Sequence, residues 1–148
     1  MDYLKYLLFG YPTKLVTGRR SGKKLEIYAI GTSDSQQQKV DLLDYLAIIG
    51  MSLEPTTQFE LHQQIQDTFT INKKDIYICL ENAKDDLNTF VFVFLHELAH
   101  VVCKESQQHD SLFKATFANL KNRAISMGYY KTTYRTSSRI FCGKQVDI

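Results

Sequence analysis

Two histidines and a glutamate stand together in the short sequence HELAH, as His96, Glu97 and His100. On a helix, residues four apart lie one turn above each other, so both imidazoles face the same side. That spacing lets them bind one Zn²⁺, while Glu97 projects beside the metal and can accept a proton from a water molecule. The preceding residues, Phe90 to Leu95, are apolar. Histidines buried there without partners would be costly. The segment therefore predicts a metal site rather than a group of ordinary polar side chains.

A catalytic zinc site needs a third protein ligand, and the downstream candidates are Glu105, His109 and Asp110. We assign His109, because eight residues separate it from His100, enough for the first helix to end and the chain to reverse. At the start of the next helix, the helix dipole would favour its neutral, metal-binding form. Asp110 is better suited to cap that helix or to orient a ligand. The prediction is one Zn²⁺ per chain, bound by three histidines.

The elements that must position these residues follow from hydrophobic periodicity and from turn residues. Five of the predicted elements precede the motif and two helices contain or follow it. In order, they are two strands around the basic turn Gly18–Lys24, a helix at 35–53 that frays at Gly50, strands at 68–71 and 75–80, and helices at 87–105 and from 109 or 110 to 127. This order predicts a single α+β domain, residues 1–148, with its helices on one face of a short twisted sheet.

Composition excludes several classes of protein. A net charge of +2 is too small to argue for nucleic acid or membrane binding by itself. The 13-residue stretch from Phe90 to Val102 is too short and too polar to cross a bilayer, and no signal peptide is recognisable at the N-terminus. Three widely spaced cysteines, Cys79, Cys103 and Cys142, predict reduced thiols instead of a disulfide framework. We therefore expect a soluble intracellular protein, in the cytoplasm or nucleus.

The segment HELAHVVCKESQQHDSLF resembles the active-site segment of the WLM and SprT-like zinc metallopeptidases, a compact minigluzincin-type group with a zincin-like fold. Their pattern is HExxH, a variable gap and a third histidine, often followed by aspartate and then an aromatic residue, here Phe113. The gap here is longer than the WLM spacing. Together with INKKDIYICL upstream, the segment also resembles small peptidases of large DNA viruses, and the likeness covers roughly residues 68 to 143. A host-cell location would follow from a viral origin.

The resemblance implies a zinc peptidase in which Glu97 is the general base and His96, His100 and His109 bind the metal. It also implies that an extended protein or peptide substrate pairs with a sheet edge, which we expect at Asp75–Leu80. The residue that stabilises the oxyanion is not singled out by the sequence. Its candidates are Tyr129, Tyr130, Tyr134, Arg135 and Arg139.

Three other functions compete with the peptidase. The tail at 129–144 mixes basic and aromatic residues, a composition that can bind single-stranded nucleic acid, and the related enzymes digest proteins cross-linked to DNA. A solvated basic strand is the plainer interpretation of that tail. The second competing function is a zinc-dependent nuclease, and the third is a binding module with non-catalytic zinc. Glu97 argues against both.

The remaining chemistry-bearing residues are interpreted more simply. His62, in FELHQQIQ, is expected to be an ordinary surface or capping histidine, and Cys79 and Cys103 to be small buried side chains. RIFCGKQVD, around Cys142, resembles the cysteine-switch segment of matrix metalloproteinase propeptides. A Cys142 thiolate could then occupy the open position on zinc and regulate the site. Simple packing of Cys142 is the alternative.

Overall fold

The computed structural model describes residues 12–65, 67–80, 87–104, 109–132, 138–142 and 144–147, with backbone alone for 138–140 and 144–147. The described residues form seven strands and three helices. The first six elements are β1 (Thr13–Thr17), β2 (Lys24–Tyr28), α1 (Ser33–Leu53), β3 (Glu60–Gln64), β4 (Phe69–Ile71) and β5 (Asp75–Cys79). The last four are α2 (Leu87–Val102), α3 (Ser111–Ser126), β6 (Ser138–Phe141) and β7 (Lys144–Asp147).

Five strands form one mixed sheet in the order β1-β2-β3-β5-β4, and β6 and β7 form a separate hairpin. β1 pairs with β2, and β4 with β5, in antiparallel orientation, whereas β3 runs parallel to both of its neighbours. The sequence predicted four of these five strands but not β3. The sequence of β3, ELHQQ, lacks the β-branched and bulky aromatic residues that are typical of strands. β5 lies between β3 and β4, so the expectation that β5 is a sheet edge is wrong. The edge is β4.

One face of the sheet forms the core. Alternate side chains point to that face, and they are fully or almost fully buried: Leu25, Ile27, Leu61, Ile76 and Ile78. α1 contacts β2 and β3, α2 contacts β4 and β5, and α3 packs against both helices. The arrangement confirms the predicted α+β class with helices covering one face of a small sheet.

The helix boundaries agree closely with those that the sequence predicted. α1 continues through Gly50, so the expected fraying is wrong. A Cβ at Gly50 would come within 2.5 Å of the Phe59 ring and 3.0 Å of the Phe94 ring. The glycine thus lets α1 approach α2 closely. Asp110 caps α3 as expected, since its carboxylate accepts a hydrogen bond from the N–H of Phe113 at 2.9 Å.

The C-terminal hairpin is tied to the sheet by a disulfide between Cys79 of β5 and Cys142 of the β6–β7 turn. Phe141 adds a buried edge-to-face contact with Phe90 of α2, with ring centroids 5.2 Å apart. The expectation of three reduced cysteines is therefore wrong for two of them, and Cys103 is a buried free thiol. Because the Cys142 sulfur is bonded to Cys79, it is not a free thiolate that could bind a metal, as the cysteine-switch hypothesis required.

Candidate metal centre

Three histidines from two elements meet in one cluster. His96 and His100 lie one turn apart on α2, and His109 lies just before α3, next to its capping residue. Their ring centroids are 4.7 Å apart for His96 and His109, and 5.2 Å apart for the other two pairs. One ring nitrogen from each lies within 4.8 Å of the other two. The structure thus brings together the three residues that the sequence predicted as ligands.

Aromatic rings of α3 support the histidine cluster from one side. Phe113 stacks on His100 and on His109, with centroids 4.3 and 4.8 Å away, and it is itself buried. Phe117 meets His96 edge to face at 5.3 Å. These contacts limit the rotation of the imidazoles, because aromatic pairs at such distances attract each other in defined orientations. Phe113 is the aromatic residue that the resemblance placed one turn after the third histidine.

Glu97 is held from two sides although the sequence predicted neither partner. Its Oε1 accepts a hydrogen bond from Thr70 Oγ1 of β4 at 2.9 Å, and its Oε2 lies 3.0 Å from His96 Nδ1. Only 6% of Glu97 is exposed. The contact with Glu97 also leaves the other nitrogen of His96, Nε2, as the atom that can bind a metal. Thr70 is a site residue that no sequence motif marked.

The environment keeps two of the imidazoles neutral. Burial, above all, lowers the pKa of His100. The negative charge of Glu97 opposes this, and positive charge on His96, His109 or Lys73 lowers the pKa of His100 further. Burial, followed by His96, also lowers the pKa of His109. Neutral imidazole is the form that binds a metal, so at neutral pH these two residues need not lose a proton first.

The cluster opens into a cavity of about 450 Å³. Its wall is formed by the histidines and Glu97 on one side and by β4 and the β4–β5 turn on the other, where Thr68, Phe69, Thr70, Asn72 and Lys73 contribute. A metal at the histidines would therefore face a space that a substrate could enter. Lys73 is a second site residue that the sequence did not single out.

The candidates for the oxyanion lie elsewhere or outside the described residues. Tyr129 is hydrogen-bonded to Ser52 at 3.1 Å and meets Tyr45 edge to face, and Tyr130 is buried. Neither is among the described residues that line the cavity. Tyr134, Arg135 and the alternative ligand Glu105 fall outside the described residues, as does the side chain of Arg139.

The burial of its aromatic side chains limits how the tail at 129–144 could bind nucleic acid. Of its aromatic residues, Tyr129 packs against the core, and Tyr130 and Phe141 are buried. Rings in such positions cannot stack on nucleic-acid bases. DNA binding through the tail stays a prediction, which would depend on its charged residues and on Tyr134, which lies outside the described residues.

A second cluster, of one histidine and several carboxylates, lies on the opposite face of the sheet, which none of the three described helices covers. His62 Nδ1 is 2.7 Å from Glu26 Oε1, and its Nε2 is 3.0 Å from Asp75 Oδ1. The ring stacks on Tyr77, with centroids 4.4 Å apart, and only 13% of the His62 side chain is exposed. Glu60 adds a third carboxylate near by. The expectation of an ordinary surface histidine is therefore wrong.

Among the described residues, no helix combines the length and the apolar composition needed to cross a membrane.

Comparison with known proteins gives relatives in large DNA viruses. The chain is 40% identical over 77 residues to an uncharacterized protein of Invertebrate iridescent virus 6, a match that covers 48% of this chain and 43% of the relative. An uncharacterized protein of Invertebrate iridescent virus 3 is 36% identical, with 53% and 54% covered. One of Acanthamoeba polyphaga mimivirus is 38% identical, with 54% and 43% covered. The predicted resemblance to viral proteins is thereby confirmed.

The chain spans about half the length of the curated relatives it matches. No protein-family model matches the chain. No solved structure matches it either.

Proposed function

We propose that this chain is a zinc-dependent peptidase of the WLM and SprT-like kind, acting on proteins or peptides, including DNA-associated proteins. One observation carries the proposal. Three imidazole nitrogens converge to within 4.8 Å of one another, beside a buried glutamate and at the wall of a cavity. The HExxH motif and the third histidine support it from the sequence.

The donor set fits zinc. His96, His100 and His109 would hold the ion, and three histidine ligands are a common set in catalytic zinc sites. Because neutral imidazoles add no negative charge, the ion would keep its full positive charge and would strongly polarise a water molecule or carbonyl bound to it. A partner behind a ligand is also present, since the Glu97 carboxylate can accept a hydrogen bond from Nδ1 of His96.

Zinc bound in this way would lower the pKa of a water molecule and polarise the carbonyl of a peptide bond. The protein's own residues then manage the proton. Glu97, buried and adjacent to the ligands, would accept a proton from the attacking water and return it to the leaving amine. Thr70 would keep the carboxylate in position, because its hydroxyl holds Oε1 at 2.9 Å.

An extended substrate has a strand to pair with. β4 is an edge strand of the five-stranded sheet, and its residues Phe69 and Thr70 line the cavity together with the histidines. A peptide added along β4 would gain main-chain hydrogen bonds and pass in front of Glu97. This placement replaces the expectation that the substrate pairs along Asp75–Leu80, since β5 is already paired on both sides.

The test compares the wild type with Glu97→Gln, which has nearly the same size and keeps all three ligands. Zinc content, measured by mass spectrometry of the metal, should stay near one per chain for both. Hydrolysis of fluorescence-quenched peptide libraries should fall about 100- to 10,000-fold in the variant, because the general base is lost. His109→Ala should lose both zinc and activity.

Other results would contradict the proposal. If Glu97→Gln is as active as the wild type, Glu97 is not the base. If the wild type binds zinc through the three histidines and cleaves no peptide or protein, with or without DNA, the non-catalytic binding module is the better conclusion.

A further inference from the structure

Two threonines that lie two residues apart, Thr68 and Thr70, line the cavity at the candidate zinc site. The Thr70 hydroxyl donates a hydrogen bond to the Glu97 carboxylate at 2.9 Å, so its proton is already used. Thr68 differs, because its Oγ1 accepts a hydrogen bond, from the N–H of Cys79 at 3.0 Å. A hydroxyl has one proton to donate and two lone pairs. Among the described residues, none accepts the proton of Thr68.

The sheet fixes the position of the Thr68 oxygen. The pairing of β4 with β5 ends at Phe69 and Tyr77, and the Cys79 N–H lies two residues further along β5. The Thr68 side chain binds this N–H with its hydroxyl oxygen. Cys79 is itself fully buried and is anchored by its disulfide to Cys142. The oxygen is therefore held in one place, and the proton is left to turn toward the cavity.

A substrate paired along β4 would bring a side chain, rather than a carbonyl, to this hydroxyl. Main-chain carbonyls of a paired strand lie in the plane of the sheet, whereas side chains stand perpendicular to it. Thr68 and Thr70 face the same cavity as the histidines. Directly opposite residues of neighbouring strands have Cβ atoms about 4.5–5.5 Å apart, close enough for a hydroxyl to bind a short polar side chain.

We propose that Thr68 donates a hydrogen bond to an acceptor side chain of the substrate, that of asparagine or aspartate. The inference rests on the proposed peptidase function and adds a substrate class to it, namely peptides with a short acceptor at one position near the bond to be cleaved. An apolar side chain there would cover the hydroxyl and leave its proton unpaired, which is unfavourable. Thr68 thus determines specificity, whereas Thr70 positions the general base.

The experiment compares peptides with asparagine or leucine, side chains of similar shape, at one position. That position is moved in turn from three residues before to three residues after the scissile bond. For the wild type, kcat/KM should be about tenfold higher for asparagine at one of these positions, the size expected when a buried donor is paired instead of unpaired. Thr68→Val keeps the shape of the side chain and should bring this ratio close to one. Thr68→Ser keeps the hydroxyl and should retain the preference.

Thr70→Val is the matched control, since it removes the neighbouring hydroxyl, which contacts Glu97. It should lower kcat for both peptides alike and leave their ratio unchanged. Thr68→Val also deprives the Cys79 N–H of its acceptor, so zinc content and cooperative unfolding in urea must first show that this variant is folded. The comparison of peptides on the wild type does not depend on that variant.

Three results would overturn the inference. The first is a wild type that prefers asparagine over leucine at none of the positions. The second is a preference that persists in folded Thr68→Val. The third is an equal loss of the preference in Thr68→Val and Thr68→Ser, which would assign the effect to the packing of the side chain instead of its hydroxyl.

Failure of the proposed function looks different. If the wild type cleaves none of the peptides, binding of the same peptides, carrying a fluorophore, to the zinc-loaded Glu97→Gln protein decides the question by anisotropy. Tighter binding of an asparagine peptide, lost when Thr68→Val is combined with Glu97→Gln, would support the hydrogen-bonding position without peptidase activity. Equal binding of the asparagine and leucine peptides would contradict it.

Discussion

The structure brings histidines and carboxylates together at two places, and the two clusters differ in how far their ring nitrogens are already occupied by hydrogen-bonding partners. On the outer face of the sheet, each nitrogen of His62 already contacts a carboxylate, from Glu26 and Asp75. Both ring nitrogens therefore already have a hydrogen-bonding partner. Neither nitrogen is left to bind a metal in this arrangement.

The inner cluster has the opposite composition. Three imidazoles face one another, with Glu97 as the neighbouring carboxylate and a cavity in front. One nitrogen of each ring lies within 4.8 Å of the other two, so the three rings can share one divalent cation. The two clusters show that proximity of ligand-type residues does not define a metal site. What matters is whether the ring nitrogens already have hydrogen-bonding partners.

The largest expected effect compares one histidine from each cluster. His100→Ala should weaken zinc binding on the order of a thousandfold, since it removes one of the ligands that share the binding free energy. His62→Ala should leave zinc affinity unchanged. Competition with a chromophoric zinc chelator measures both. Two zinc ions bound per chain, of which one disappears in His62→Ala, would break the distinction between the clusters.

The disulfide should stabilise the part of the fold that contains the inner cluster. Cys79 and Cys142 are 63 residues apart in sequence, and the loop they close contains all four residues of the inner cluster but none of the outer one. Cys142→Ser should reduce the free energy of unfolding by about 2–4 kcal/mol in urea titrations. Reductant should destabilise the wild type by a similar amount and leave Cys142→Ser unaffected.

Cys103→Ala is the control for that measurement, because Cys103 is buried but not bonded to another cysteine. This variant should stay sensitive to reductant. Detection of three free thiols in the unreduced, unfolded wild type would contradict the disulfide.

Thr70 tests how the carboxylate of the inner cluster is positioned. Thr70→Val keeps the shape of the side chain and removes the hydroxyl that donates to Glu97 Oε1. We expect peptidase kcat to fall about tenfold, which corresponds to about 1.4 kcal/mol. Zinc affinity should not change. Thr70→Ser retains the hydroxyl and should recover most of the rate, whereas equal losses in both variants would point to packing.

The smallest effect concerns the stability of the outer cluster. His62→Ala leaves Glu26 and Asp75, both largely buried as side chains, without their shared partner. The free energy of unfolding should fall by about 1 kcal/mol at low salt and by less at high salt, where the remaining repulsion is screened. A loss that does not depend on salt would mean that the stacking of His62 on Tyr77 matters more than its contacts with the two carboxylates.

Part of this site could be predicted because its causes are local. His96, Glu97 and His100 share a helix face through the spacing of residues in one helix, and Asp110 caps α3 through its own neighbours in sequence. Thr70 and Lys73 could not be predicted in the same way. They reach the cavity because β4 pairs with β5 at the edge of the sheet, a register that no short motif records.

The sequence by itself determined the order of the main helices, the α+β class and the set of three histidines, since periodicity and spacing act over a few residues. Only the tertiary structure decided that β4 is the edge strand, that His62 joins two carboxylates, and that Cys79 pairs with Cys142. Each of these depends on residues that are distant in the chain and adjacent in space: Glu26 and Asp75 flank His62 only because β3 pairs with both β2 and β5. Strand pairing of this kind is set by the packing of the whole core, which local propensity does not fix.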